Sequence, residues 1–156
     1  MATQSLELGK RVPSFILPIA IGGVFNLESA FERGPVVLNF IRGTWCEFCT
    51  EHLTNIQKWK SVVEKQKQNT ITIAVISNES PKVLTKWQES NPINFLLLSD
   101  EFGKVARDYG FRAQDDDYSR PAMIVIDKDG SARVIDDGFE KVDSAAKEIN
   151  REIEQL

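Results

Sequence analysis

The chain has 156 residues, 42% of them apolar and 27% charged, with a net charge of −4. That length and balance suit one folded domain over 1–156 with a substantial core, and they exclude a disordered chain. The acidic balance leaves no electrostatic footprint for nucleic acid or an anionic membrane.

The opening MATQSLELGK has no apolar segment of leader or anchor type, so the sequence as it stands reads as a cytoplasmic protein without a membrane segment. From there, 13–18 (PSFILP) reads as a short strand, Gly22-Gly23 as a turn and Val24-Phe25 as a second short strand. Residues 26–31 form a single helical turn closed by Gly34. Residues 35–41 are a nearly continuous, β-branched apolar run, the pattern of a strand buried on both faces. From about 46 to 66 the apolar positions Cys49, Leu53, Ile56, Trp59 and Val63 recur in steps of three and four, an amphipathic helix.

Further buried strands are expected at 70–76 and 94–98. Between them Ser80-Pro81 opens a helix, serine as N-cap and proline at the first position, with Val83, Leu84 and Trp87 as its core face. A short helix at about 101–109 stops at Gly110. Residues 122–127 and 132–135 flank Lys128-Asp129-Gly130, a hairpin signal. A last helix from about Asp143 carries Ala146, Ile149, Ile153 and Leu156 on one side. Strands and helices alternate first and a hairpin follows, so the expected fold is a three-layer α/β/α domain with a mixed central sheet and an N-terminal β extension.

Both cysteines, Cys46 and Cys49, fall where the strand at 35–41 gives way to a helix N-terminus. A free thiol is only about 3% thiolate at neutral pH. At a helix start the unpaired N–H groups and the macrodipole favour the anion, and Arg42, four residues earlier, adds positive potential. The spacing sets Cys49 one turn beyond Cys46. Cys46, at the exposed start, becomes the attacking thiol and Cys49 the one that resolves a mixed disulfide. As a staple the pair is poor: a four-residue loop stabilises by only about 2 kcal/mol. Such a pair cycles, and needs no cofactor beyond itself. A metal-binding or copper-delivery module is the competing reading, since Cys46, Cys49 and His52 supply three soft ligands; a closed zinc site needs a fourth. His52 taken alone reads as solvent-facing on the helix's polar side.

The blocks VPSFILP, VFNLESAF, PVVLNFIRGTWCEFC, LSDEFGKVARDYGF and RPAMIVIDKDG together resemble the thioredoxin-fold redoxins of the alkyl hydroperoxide reductase/thiol-specific antioxidant (AhpC/TSA) type, from about residue 9 to 138. The resemblance implies a thioredoxin-like fold, Cys46 as nucleophile with Cys49 as partner, and Pro121 as a cis-proline facing them. It leaves two activities open, thiol–disulfide exchange and peroxiredoxin-like reduction of hydroperoxides. The peroxiredoxin Pro-x3-Thr-x2-Cys loop is broken, because Thr44 lies two residues before Cys46 and five before Cys49. Six residues before Asp127, where that family carries an arginine, stands Pro121, with Arg120 one position off. Both departures favour exchange, although Arg42, Thr44 and Arg120 are candidates for a substitute peroxide-binding cluster. The implied partners are a protein or small-molecule disulfide, or a hydroperoxide, and an external thiol reductant such as a thioredoxin system. Trp45 is placed to shield one side of the sulfurs. Glu47 suits the first helical turn, and Asp115, Asp116 and Asp117 read as a solvated loop.

Overall fold

The computed structural model describes residues 6–67, 71–112 and 118–137. The helix expected from Asp143 and the acidic run 115–117 lie outside the described residues, as does the side chain of Trp59.

Five strands make the central sheet. They are β3 (Val36–Ile41), β4 (Thr72–Ser77), β5 (Leu96–Ser99), β6 (Ala122–Ile126) and β7 (Ala132–Asp137), in the spatial order β5-β4-β3-β6-β7. β3 runs parallel to β4 and antiparallel to β6, so the sheet is mixed. Every residue of β3 is buried, as its unbroken apolar run requires of a central strand covered on both sides. β6 and β7 form the antiparallel hairpin around Lys128-Asp129-Gly130, and Gly130 supplies the positive φ of 85° that the turn needs. Ahead of the sheet, β1 (Ile16–Pro18) and β2 (Val24–Asn26) pair as a separate antiparallel ribbon, the expected N-terminal extension.

The period-2 alternation of β3 divides the core in two. Val36, Leu38 and Phe40 face the layer built from the β1–β2 ribbon, α1 (Leu27–Arg33) and α4 (Lys104–Asp108). Val37 and Ile41 face the layer of α2 (Glu47–Lys67) and α3 (Pro81–Ser90), where Cys49, Leu53, Ile56 and Leu84 pack. The result is the expected three-layer arrangement. The N-cap read from sequence recurs, the Ser80 hydroxyl accepting from Val83 N–H with Pro81 at the first position; the structure adds Asn26, whose side chain caps α1. One core position departs. Val83 is 47% exposed while Leu84 is fully buried, so α3 packs through Leu84 and the partly buried Trp87.

The five-residue α4 needs help, being too short to hold itself. The buried Asp100 carboxylate provides it by accepting Val105 N–H at 3.2 Å and Ala106 N–H at 2.9 Å. Asp100→Ala leaves both buried donors unmet and is expected to cost about 2 kcal/mol, read as a lowered urea midpoint at unchanged slope.

Candidate active site

β3 ends at Ile41, and the chain turns through 42–46 into α2. Cys46 is the residue before the helix. Its N–H donates to Gly43 O at 3.2 Å, and its carbonyl accepts Thr50 N–H at 3.0 Å, the first bond of the helix. Its Sγ accepts Cys49 N–H at 3.4 Å, as the side chain of a helix N-cap does. A negative charge on that sulfur therefore meets a backbone donor at the positive end of a 21-residue helix. Cys49 sits one turn in, and its Sγ accepts Arg42 N–H at 3.4 Å. Burial, and then the hydrogen bond its S–H makes to Cys46, push the Cys49 thiol up to about 12. The two sulfurs are thus within hydrogen-bond reach, and no disulfide joins them. The expected contrast in exposure is smaller than the sequence suggests: Cys46 is 8% exposed and Cys49 0%, because Cys46 packs into the same apolar cluster as Leu53 and Ile56. Access to sulfur is through Cys46 alone.

Trp45 is half exposed beside this pair. The Arg42 guanidinium lies 5.4 Å from its ring centroid, and Tyr118 meets it edge-on at 5.0 Å. The indole also covers Gly43 so closely that an added Cβ would come 2.2 Å from Trp45 Nε1. Arg42 is thereby an indole-stacked cation at the mouth of the site. Phe48, also half exposed, continues the aromatic rim one turn along α2.

Three expectations need correction. Arg120 does not join Arg42 and Thr44. Its guanidinium bonds the Asp137 carboxylate at 3.0 Å and Gly110 O at 3.1 Å and stacks on Phe111. Thr44 is occupied as well: its N–H and hydroxyl donate to the two carboxylate oxygens of Glu79, at 2.8 and 2.9 Å. The Arg120–Pro121 bond is trans, the favoured isomer of any such bond, with Arg120 N–H fixed on Phe111 O. Pro121 does border the site, since the next residue, Ala122, pairs with Phe40 near the end of β3 from which the cysteine loop departs.

His52 is the third correction. It is buried, 3% exposed, and its Nε2 lies 2.9 Å from Asn39 Oδ1. The Asn39 amide donates to Ala74 O, which turns the amide oxygen toward the ring, so Nε2 carries the proton. Burial holds the imidazole down to about 4, neutral at physiological pH. No group of three His, Cys, Asp or Glu side chains suited to a metal occurs among the described residues. Cys46, Cys49 and His52 do not assemble as ligands because the ring is turned to β3.

Glu79 and Asn39 escape a reading by motif. Glu79 is 35 residues from Thr44, with no local signal linking them. Asn39 did carry a signal, for a lone amide in a strand buried on both faces requires a polar partner from a covering helix.

Residues 8–135 match the AhpC/TSA family. The chain belongs to that family. Peroxiredoxin Bcp of Escherichia coli (strain K12) is 26% identical over 140 residues, covering 86% of this chain and 87% of that protein. Peroxiredoxin TSA1 of Saccharomyces cerevisiae is 25% identical over 138 residues, covering 83% and 69%. In fold, the AhpC/TSA chain superposes on peroxidoxin BcpB from Mycobacterium tuberculosis with a TM-score of 0.81 at 22% identity, covering 94% of this chain and 97% of that one. It superposes comparably, at 0.79 and 19% identity, on a putative protein disulfide isomerase from Bacteroides thetaiotaomicron, covering 96% and 91%. The fold is thioredoxin-like, and the protein is a thiol-based oxidoreductase of the AhpC/TSA family. Among the described residues no helix is long and apolar enough to cross a membrane.

Proposed function

We propose that the chain is a thiol–disulfide oxidoreductase that cycles Cys46 and Cys49 between dithiol and disulfide. The observation that carries this reading is the bond from Cys49 N–H to Cys46 Sγ at the head of α2, with the protonated Cys49 sulfur beside it. The Cys46 thiolate attacks one sulfur of a substrate disulfide and forms a mixed disulfide; the other substrate sulfur leaves as a thiolate and takes a proton from solvent. The Cys49 thiol then loses its proton and attacks Cys46 Sγ. The second substrate thiolate leaves, and Cys46–Cys49 closes. Two electrons pass from the protein to the substrate. An external dithiol, such as a thioredoxin system, restores the pair by the reverse exchange. The reading places the protein in the cytoplasm, where such reductants keep thiols reduced.

Trp45, Arg42 and Pro121 frame the approach. The half-exposed indole, stacked with Arg42, offers the substrate an apolar wall next to Cys46 in the loop. The trans Pro121, directly before β6, borders the loop through the pairing of Ala122 with Phe40.

A second reading, reduction of hydroperoxides through a Cys46 sulfenic acid that condenses with Cys49 and releases water, is favoured by the peroxiredoxin relatives, Bcp and TSA1. Against it stands the commitment of Thr44 to Glu79 and of Arg120 to Asp137, which leaves neither aimed at a departing hydroxide. Stopped-flow mixing of the reduced protein with hydrogen peroxide and, separately, with a protein disulfide decides between them. Tryptophan fluorescence is expected to report fast oxidation by the disulfide. With peroxide the rate is expected to be that of an ordinary free thiol; a peroxide rate orders of magnitude above it would establish the peroxidase instead.

A further inference from the structure

The turn after β4 reaches across to the cysteine loop through one carboxylate. Glu79 Oε1 accepts Thr44 N–H at 2.8 Å and Ser77 O–H at 2.6 Å, and Oε2 accepts the Thr44 hydroxyl at 2.9 Å. The turn itself is anchored to the sheet. Ser99 O–H donates to Glu79 O at 2.6 Å, Asp100 N–H to Ser77 O at 2.8 Å, and the Asn78 amide to the carbonyls of Asp100 and Glu101. Thr44 lies two residues before Cys46, inside the loop that also carries the bond from Cys46 N–H to the Gly43 carbonyl and the Trp45 ring packed on Gly43. A carboxylate that holds both a backbone and a side-chain donor of one residue fixes that residue's position and orientation together.

We propose that Glu79 is the positioning residue of the redox centre: it clamps Thr44 so that Cys46 Sγ stays on the Cys49 amide at the helix start. The inference rests on the reading of Cys46 as the attacking sulfur, and it goes beyond the cysteine pair to a residue on another element. Glu79 touches neither substrate nor sulfur; its effect passes through Thr44. Geometry, not charge, is what it supplies. A glutamine fits the same contacts, with its carbonyl accepting Thr44 N–H and Ser77 O–H and its amide donating to the Thr44 hydroxyl, which rotates to accept.

The test is steady-state reduction of a protein disulfide by Glu79→Ala, Glu79→Gln, Thr44→Val and the Glu79→Ala/Thr44→Val pair, with unfolding midpoints measured alongside. Displacing an attacking group by an ångström costs about 100-fold, so Glu79→Ala is expected to lose about 10- to 100-fold in kcat with KM little changed. Glu79→Gln is expected to restore the rate to within about twofold of the parent. Thr44→Val is expected to fall between, and the double variant to be no slower than Glu79→Ala, the signature of one shared interaction. Three results would each overturn the proposal: kcat unchanged in Glu79→Ala while only its midpoint falls, Glu79→Gln as slow as Glu79→Ala, or independent losses in the double variant. Should Glu79→Ala fail to fold, Thr44→Val, which removes the Oε2 contact alone, carries the same test: a kcat within twofold of the parent would overturn the clamp. Full turnover by Cys46→Ser would instead refute the reading beneath it, whatever the Glu79 variants do.

Discussion

Cys46→Ser is expected to abolish turnover, by about 10⁴-fold or more, because the hydroxyl that replaces the sulfur is not ionised at neutral pH and no second exposed thiol stands in for it. Cys49 is wholly buried and its proton is held to about pH 12, so it does not attack a substrate unaided. Cys49→Ser should behave differently. Its Cys46 still receives the N–H of residue 49, since that donor is backbone. The first attack then proceeds and the second does not, so a mixed disulfide between Cys46 and the substrate accumulates, visible as a substrate adduct in non-reducing electrophoresis and intact mass. Adduct on the Cys46→Ser variant in place of Cys49→Ser would invert the assigned roles. The burial that raises the Cys49 thiol also predicts a pH effect: resolution of the mixed disulfide accelerates as pH rises above neutrality and more Cys49 ionises.

Acid is expected to destabilise this protein through His52. The imidazole titrates at about 4 in the folded chain and at about 6.5 when unfolded. Between those values the unfolded state binds the proton that the folded state refuses. Stability therefore rises with pH through that window; the contribution is present above about 6.5 and is lost as pH falls to 4. The loss from pH 7 to 4 amounts to about 3 kcal/mol. His52→Gln removes the titration while leaving an amide able to donate to Asn39 Oδ1. Urea unfolding of both proteins at pH 7, 5.5 and 4 isolates the effect, because the carboxylates common to both cancel in the difference. The stability of the parent is expected to fall by about 3 kcal/mol more than that of His52→Gln. Parallel pH profiles would show that His52 is not held neutral by its burial against β3. The pair also ties the first turns of α2 to the sheet, which places Cys49 below Cys46.

Much of this was legible in the residues. The switch from a β-branched run to a helical period places the cysteines at the head of α2, Ser80-Pro81 marks a helix start, and Lys128-Asp129-Gly130 marks the β6–β7 hairpin. Each is a local signal, carried by residues adjacent in sequence. What escaped is non-local or directional. The His52–Asn39 bond joins a helix to a strand thirteen residues away. A position between Cys49 and Leu53 lies at the edge of the apolar stripe, where a small rotation of the helix decides between solvent and core. Periodicity does not fix that rotation, but the buried amide on β3 does. The clamp on Thr44 spans 35 residues and depends on the β3–β4 register, invisible without the fold. Arg120 was near the right place in sequence, yet Asp137 across the hairpin and the Phe111 ring take its guanidinium. The isomer of Pro121 follows from its surroundings, and there trans prevails.

The account stands on two sulfurs exchanging one pair of electrons within the same chain, and peptide mapping after oxidation reads that directly. Reduced protein treated with less than one equivalent of a protein disulfide, then acid-quenched and mapped, is expected to lose the mass of two hydrogens and to yield a single new link, Cys46 to Cys49, with the substrate released as its dithiol. A product in which Cys49 stays a free thiol while Cys46 is joined to a second copy of the chain, or oxidised to a sulfinic acid, would contradict it.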